Sequence, residues 1–182
     1  MQRAGIKEVW TKKCITVAFE MEYVVNVQYF KKPIDELVPK ELAIAPLRGV
    51  HCKPTLFTFK PPCPWTDLPV AYQRLNEMMY QQVHKLFWRY GSIPWEDVSE
   101  TVRKVLPNAA LIYVKGTETK QWLSTIVGES VLVVDVDTLE CPSLRELKEM
   151  IPGVSGHHKT AYGLYSAVEN VDLLRNWLIQ RY

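Results

Sequence analysis

The 182-residue sequence predicts an α/β domain built on a mixed sheet. Three observations lead there. Three strand-like stretches follow one another before Lys60, which suits an antiparallel meander. After them, continuous apolar runs alternate with segments of helical period, as when strands are laid down between crossover helices. The hydrophobic content of 47% and charged content of 23% are those of a chain with a core, not of a disordered one.

Tyr23-Val24-Val25-Asn26-Val27-Gln28-Tyr29-Phe30 carries the strongest strand signal. β-branched and aromatic residues dominate it, and Lys31-Lys32-Pro33 supplies a turn. Asn26 and Gln28 are two apart and therefore share a face. Ile15 to Glu22 precedes them as an extension or a separate short strand, with Glu20 and Glu22 also two apart. Leu37 to Ala45 predicts a second strand antiparallel to the first, where Pro39 is tolerable only near a strand start or an edge. Glu41 lies inside this apolar run, either facing outward or as a buried carboxylate with a structural partner. Leu56 to Phe59 is a third strand, and Pro61-Pro62-Cys63-Pro64 a stiff extended connector with Cys63 as a packed thiol.

Leu75, Met78, Met79, Val83, Leu86 and Phe87 recur at helical spacing, which predicts an amphipathic helix from about Pro69 to Tyr90, ended by Gly91. His84, Lys85, Trp88, Arg89 and Tyr90 then fall on its opposite face and C-terminal end. Cations interleaved with rings suit single-stranded nucleic acid, because phosphates pair with the charges and bases stack on the rings. The same residues also suit a bland role, with Lys and Arg complementing a helix C-terminus and the rings covering core.

Pro94 opens a second helix whose buried stripe is Val98, Val102, Val105 and Leu106, closed by Pro107-Asn108. Ala110 to Val114 is a continuous apolar run, as in a strand covered on both faces. Lys115-Gly116 turns into a short helix from about Glu118 to Ile126, with Trp122 and Leu123 inward. Val131 to Asp135 is another buried strand, and Asp135 and Asp137 are spaced to share a face. Ser143-Leu144-Arg145-Glu146 matches a capping box opening a helix to Met150. Gly153 to His158 is a loop. A last helix runs from about Thr160 to Gln180, with Ala161, Leu164, Val168, Val171, Leu174 and Leu178 as its stripe.

Composition narrows the function classes. A net charge of +2 gives no whole-protein argument for nucleic acid, so any basic surface is local. No apolar run approaches the ~18 residues of a membrane span, and the N-terminus has no signal-peptide core. Cys14, Cys52, Cys63 and Cys141 are scattered, without a zinc-knuckle or disulfide pattern, which predicts reduced thiols in a cytoplasmic or nuclear protein. The whole chain, 1–182, reads as one domain with 1–14 as an N-terminal extension.

The order β-β-β-α-α-β-α-β-α-α, with Tyr23-Val-Val-Asn-Val-Gln as first strand and Pro39-Lys-Glu-Leu-Ala-Ile as second, resembles the ribonuclease H-like fold of the DEDD-type 3′–5′ exonucleases. The resemblance covers about Tyr23 to Trp177. It implies that Asn26 and Gln28 stand where such enzymes carry Asp-x-Glu. Thr119 or Lys120, after Leu111-Ile-Tyr-Val, stands near the third Asp. Val133-Val-Asp-Val-Asp with Ser143-Leu144 is similar to the next strand and its helix start. Tyr165-Ser-Ala-Val-Glu-Asn-Val is similar to the closing His-x-Ala-x-x-Asp-Ala, which puts Tyr165 at the general base and Asn170 at the last Asp.

The departures all run one way. Two-metal hydrolysis needs clustered carboxylates and a base. Neutral amides and a Lys supply neither, so the resemblance implies a pseudo-exonuclease with no catalytic residues, no cofactor, single-stranded nucleic acid as partner and a protein partner as a second option. Maelstrom-type domains resemble the chain in lacking the acids and pair a second-strand Glu with a downstream Cys/His cluster around zinc. Glu41, His157 and His158 match part of that set; the downstream cysteines do not. Two alternatives stand beside this reading. One is an active metal-dependent exonuclease in another register, drawing on Glu20, Glu22, Asp135, Asp137, His157 and Glu169. The other is a protein-interaction module without nucleic acid.

Overall fold

The structure is a computed structural model, and it describes residues 20–49, 53–151 and 166–182. β1 (Met21–Lys32), β2 (Glu36–Pro46), β3 (Thr55–Thr58), β4 (Ala109–Val114) and β5 (Leu132–Asp135) form a mixed sheet in the order β3-β2-β1-β4-β5. β1, β2 and β3 are an antiparallel meander, and β4 and β5 add in parallel beside β1. This is the ribonuclease H-like topology. The helices are α1 (Val70–Met79), α2 (Val98–Val105), α3 (Thr117–Val127), α4 (Leu144–Met150) and α5 (Ala167–Arg181).

The alternation along β1 decides what covers each face of the sheet. Val24, with Ala43 and Ala45 of β2, packs under Val171, Leu174 and Leu178 of α5 and Leu147 of α4. Val25 and Val27, with Leu42, Ile44, Ile112 and Val114, pack under Val102 of α2 and Leu123 of α3. Burying one such Leu, Ile or Val contributes about 1.5–3 kcal/mol, so these two layers carry the fold. Among the described residues no helix is long and apolar enough to cross a membrane.

The register of β1 against β2 slips between Gln28, opposite Glu41, and Tyr29, opposite Pro39. Lys40 is the extra residue of this bulge. The bulge is also why Pro39 fits in β2, a strand flanked on both sides. β3 pairs only with Glu41 to Ile44, so the missing N–H of Pro39 falls where no neighbouring strand needs it.

Five expectations need correction. The helix predicted to reach Tyr90 stops early: after α1 the chain widens into a π-helical turn over Tyr80–His84 and ends at Lys85, whose φ is 58°. Its buried face is also different. Met78, Val83 and Phe87 stay about half exposed, whereas Asn76 is fully buried. The reason is that β4 pairs with β1 only up to Val24. Further along that open edge, the Asn76 amide receives the Lys31 N–H (2.9 Å) and donates to the Lys31 carbonyl (2.7 Å), standing in for a strand. Gly91 serves another purpose: a Cβ there would lie 2.0 Å from the Phe59 carbonyl oxygen, so only glycine lets this segment lie on the end of β3.

The other corrections lie later in the chain. β5 is an edge strand rather than a buried one, and Leu132 is 63% exposed. The last helix begins at Ala167, because Ser166 is extended and its side chain caps the Glu169 N–H. Residues 160–165 lie outside the described residues, as does the loop reading of Gly153 to His158. The Ser143–Glu146 capping box forms as expected.

Candidate functional site

Asn26, Gln28 and Glu41 project from the α5 side of β1 and β2, and all three are buried. α5 reaches them with its first turns. The Asn170 Nδ2 donates to Asn26 Oδ1 at 3.0 Å, and the backbone N–H of Ala167 donates to Glu41 Oε2 at 3.1 Å. Glu41 is therefore not an outward-facing residue but a buried carboxylate at the N-terminus of a helix, where the free N–H groups and the helix dipole favour negative charge. Burial pushes its carboxyl up, and the Ala167 N–H pulls it back down. Asn170 Oδ1 is also buried and accepts no hydrogen bond among the described residues.

Of the residues assigned to the degenerate site, the structure thus joins Asn26 with Asn170 and sets Gln28 opposite Glu41. Thr119 is buried in the first turn of α3 and Lys120 is half-buried beside it. α3 packs on the other face of the sheet, and neither residue hydrogen-bonds to the amides among the described residues. Tyr165, His157 and His158 lie outside the described residues.

The Asn26–Asn170 contact is neutral, and that has a measurable consequence. Asn170→Asp places a carboxylate in a fully buried position where the described residues bring no cation to pair it. The expected loss is about 2–4 kcal/mol at pH 7, read as a drop in urea midpoint. Because burial raises the new carboxyl, the deficit should shrink as the pH falls and the group takes up its proton. A variant as stable as the parent at pH 7 would mean that water or a cation reaches this cluster.

The acids of the alternative register have other employment. Asp135 ends β5 and accepts from the N–H groups of Gly116 (2.9 Å) and Asp137 (3.0 Å) and from the Thr117 hydroxyl (3.2 Å). It holds a turn together rather than sharing a strand face with Asp137, which sits in the following 3-10 turn and pairs with Lys115. Glu169 pairs with Lys148 at 2.7 Å, Glu22 lies 3.9 Å from Arg48, and Glu20 is exposed. Among the described residues, no three His, Cys, Asp or Glu side chains come together as a metal site.

The residues expected on a basic, aromatic helix face divide differently. His84 is buried: the Leu86 N–H donates to Nδ1 at 3.1 Å, so that nitrogen is unprotonated and Nε2–H donates to the Tyr29 carbonyl at 3.1 Å. Burial lowers its pKa to about 4, which keeps the ring neutral. Trp88 is buried too. Its Nε1 donates to the Cys63 carbonyl at 2.8 Å, and its ring packs on Phe30 and Trp65. Both rings face inward because the π-helical turn and the left-handed Lys85 swing the chain back over the sheet. Lys85 lies 5.9 Å over the Tyr80 ring and bonds the Gln81 carbonyl, and Arg89 is exposed.

To these the structure adds Trp65 and the proline segment, and it turns Phe87, expected on the buried stripe of the helix, outward. Together with Trp88 and Arg89, Pro61–Trp65 and Phe87 line a groove of about 600 Å³. A second groove of about 410 Å³ continues along Leu86, Phe87, Arg89 and Tyr90. The proline run signalled stiffness; that it forms a wall depends on where Trp88 packs.

Beneath this surface lies Lys40. It is fully buried, and its Nζ donates to the carbonyls of Phe59 (2.8 Å) and Trp88 (2.7 Å). No carboxylate accompanies it in the salt bridges of the described residues. Burial lowers its pKa to about 7. The bulge of β2 thus supplies a side chain that pins the end of β3 and the 85–90 segment together. No protein-family profile matches the chain, and no curated protein matches it.

Proposed function

We propose that this chain is a degenerate domain of the DEDD exonuclease type that binds single-stranded nucleic acid without cleaving it. The observation that carries the reading is the direct Asn26–Asn170 hydrogen bond. Two positions that the resemblance assigns to metal-binding carboxylates meet across the sheet and helix, but as a closed neutral pair. Amide oxygens offer dipoles and no net charge, too little to offset the dehydration of Mg²⁺. The ribonuclease H-like sheet supports the family reading, and the exposed Arg89 beside half-exposed Phe87 supports a strand as ligand.

Fluorescence anisotropy with labelled single-stranded DNA and RNA tests this. Binding should weaken steeply between about 50 and 200 mM salt, and Arg89→Ala should weaken it further while lowering the salt slope by ~0.7. The bound strands should stay intact with Mg²⁺ or Mn²⁺ present. Absence of binding at low salt would overturn the nucleic-acid reading. Metal-dependent cleavage that disappears in His158→Ala would overturn the inactive one.

A further inference from the structure

We infer that the groove between the Pro61–Trp65 wall and Phe87 is a stacking pocket for one unpaired base, with Arg89 on the adjoining phosphate. This rests on the proposed nucleic-acid reading and specifies where the strand is held. Three observations carry it. The surfaces are flat, apolar and stiff: prolines have no rotamers to lose, and Trp88 is locked by its bond to Cys63 and by Phe30. A ligand therefore meets a preformed slot. Phe87 is 48% exposed, and Tyr80 supports it at a ring distance of 5.3 Å and a tilt of 31°. An aromatic face held in this way is a platform on which any base can stack.

The charge is complementary as well. Among the described residues, Arg89 lines both this groove and its continuation, and no carboxylate lines either. Lys60, next to Pro61, is exposed at the same end of the sheet. Two carboxylates stand nearby: Asp67 acts on the Cys63 thiol of the wall, and Glu77 lines the adjoining groove, which shares Trp65, Phe87 and Trp88 with this one. A ring beside a guanidinium matches the pairing of base and phosphate within one nucleotide.

The test compares an oligothymidylate of about ten nucleotides with an abasic strand carrying the same number of phosphates. The abasic strand should bind about 5- to 100-fold more weakly. Phe87→Ala should lose most of that factor for the thymidylate strand and little for the abasic one, while Phe87→Tyr should keep the parent's preference. Thermal unfolding of each variant like that of the parent assigns the losses to the pocket rather than to the fold. Equal affinity of the parent for both strands would overturn the stacking pocket and leave phosphate-driven binding standing. Failure of both strands to bind would overturn the nucleic-acid reading itself. A Phe87→Ala protein with the parent's preference would place the base elsewhere.

Discussion

Acidification should strip this protein of stability progressively from about pH 10 to pH 4, in two stages set by two neighbouring buried groups. Lys40 acts first. In the unfolded chain its amine holds a proton up to the ordinary value near 10.5, but in the folded chain only below about 7. Between those values the unfolded state binds more protons, so stability falls as the pH falls, and the whole contribution is gone once Lys40 is charged in both states. His84 follows in the same direction. Its ordinary value is 6.5 and its folded value about 4, so stability falls again across that window.

The stages are about 5 kcal/mol for Lys40 and about 3 kcal/mol for His84, large against the ~5–15 kcal/mol of an ordinary domain. The groups facing Lys40 are the Phe59 and Trp88 carbonyls and, at longer range, the His84 ring; none offers a negative charge. Urea midpoints at pH 9, 7 and 5 check this, with Lys40→Met as comparison. The Met variant loses two hydrogen bonds, yet its stability should be flat between pH 9 and 7. A parent protein equally stable from pH 9 to pH 5 would refute the account. So would a Met variant with the parent's pH profile.

Gly91→Ala should cost about 3 kcal/mol or more, a heavy loss for one methyl group. Gly91 has φ of +125°, which L residues rarely adopt, and the added Cβ would lie 2.0 Å from Phe59 O and 2.7 Å from Lys60 N. Both obstacles are backbone, so no side chain can turn aside. The segment must lift from β3, and it is held there by N–H groups of Ser92 and Ile93 on the Thr58 carbonyl and of Lys60 on the Ile93 carbonyl. The Phe59 carbonyl also receives Lys40, so the loss spreads to the pinned 85–90 segment. Denaturant midpoints measure the cost, and Trp88 emission should shift to longer wavelength before the global transition. A midpoint within ~0.5 kcal/mol of the parent's would show that the backbone yields easily there.

The sheet could be read from the chain because its strands are written in β-branched residues with turns between them. The two-residue spacing of Asn26 and Gln28 placed both on one face, and Asn170 meets Asn26 from the first turn of α5. The 70–90 region misled for a physical reason. Met78, Val83 and Phe87 repeat at helical period, but the contact that docks α1 is made by Asn76, whose amide completes an open strand edge. Hydrophobic period cannot register a dock made of hydrogen bonds. Lys40 was invisible for a similar reason. A lysine inside an apolar strand looks like an outward residue, and only the bulge between Gln28 and Tyr29 turns it into the protein. Glu41, one residue later, needed the position of α5 before its partner could be named.

The strand order has one more effect, on how the protein meets copies of itself. The two outer strands of the sheet, β3 and β5, are four residues each, and the long strands β1 and β2 lie inside. An exposed edge is a template for another chain in proportion to its length. β5 passes at once into the 3-10 turn tied by Asp135, and β3 runs into the Gly91 contact and then the proline wall. A foreign strand would find only a few unpaired groups on either rim before the chain turns away. Among the described residues these short rims limit edge-to-edge pairing, although Leu132 stands largely bare on the outermost strand and β1 beyond Val24 relies on Asn76 at its edge.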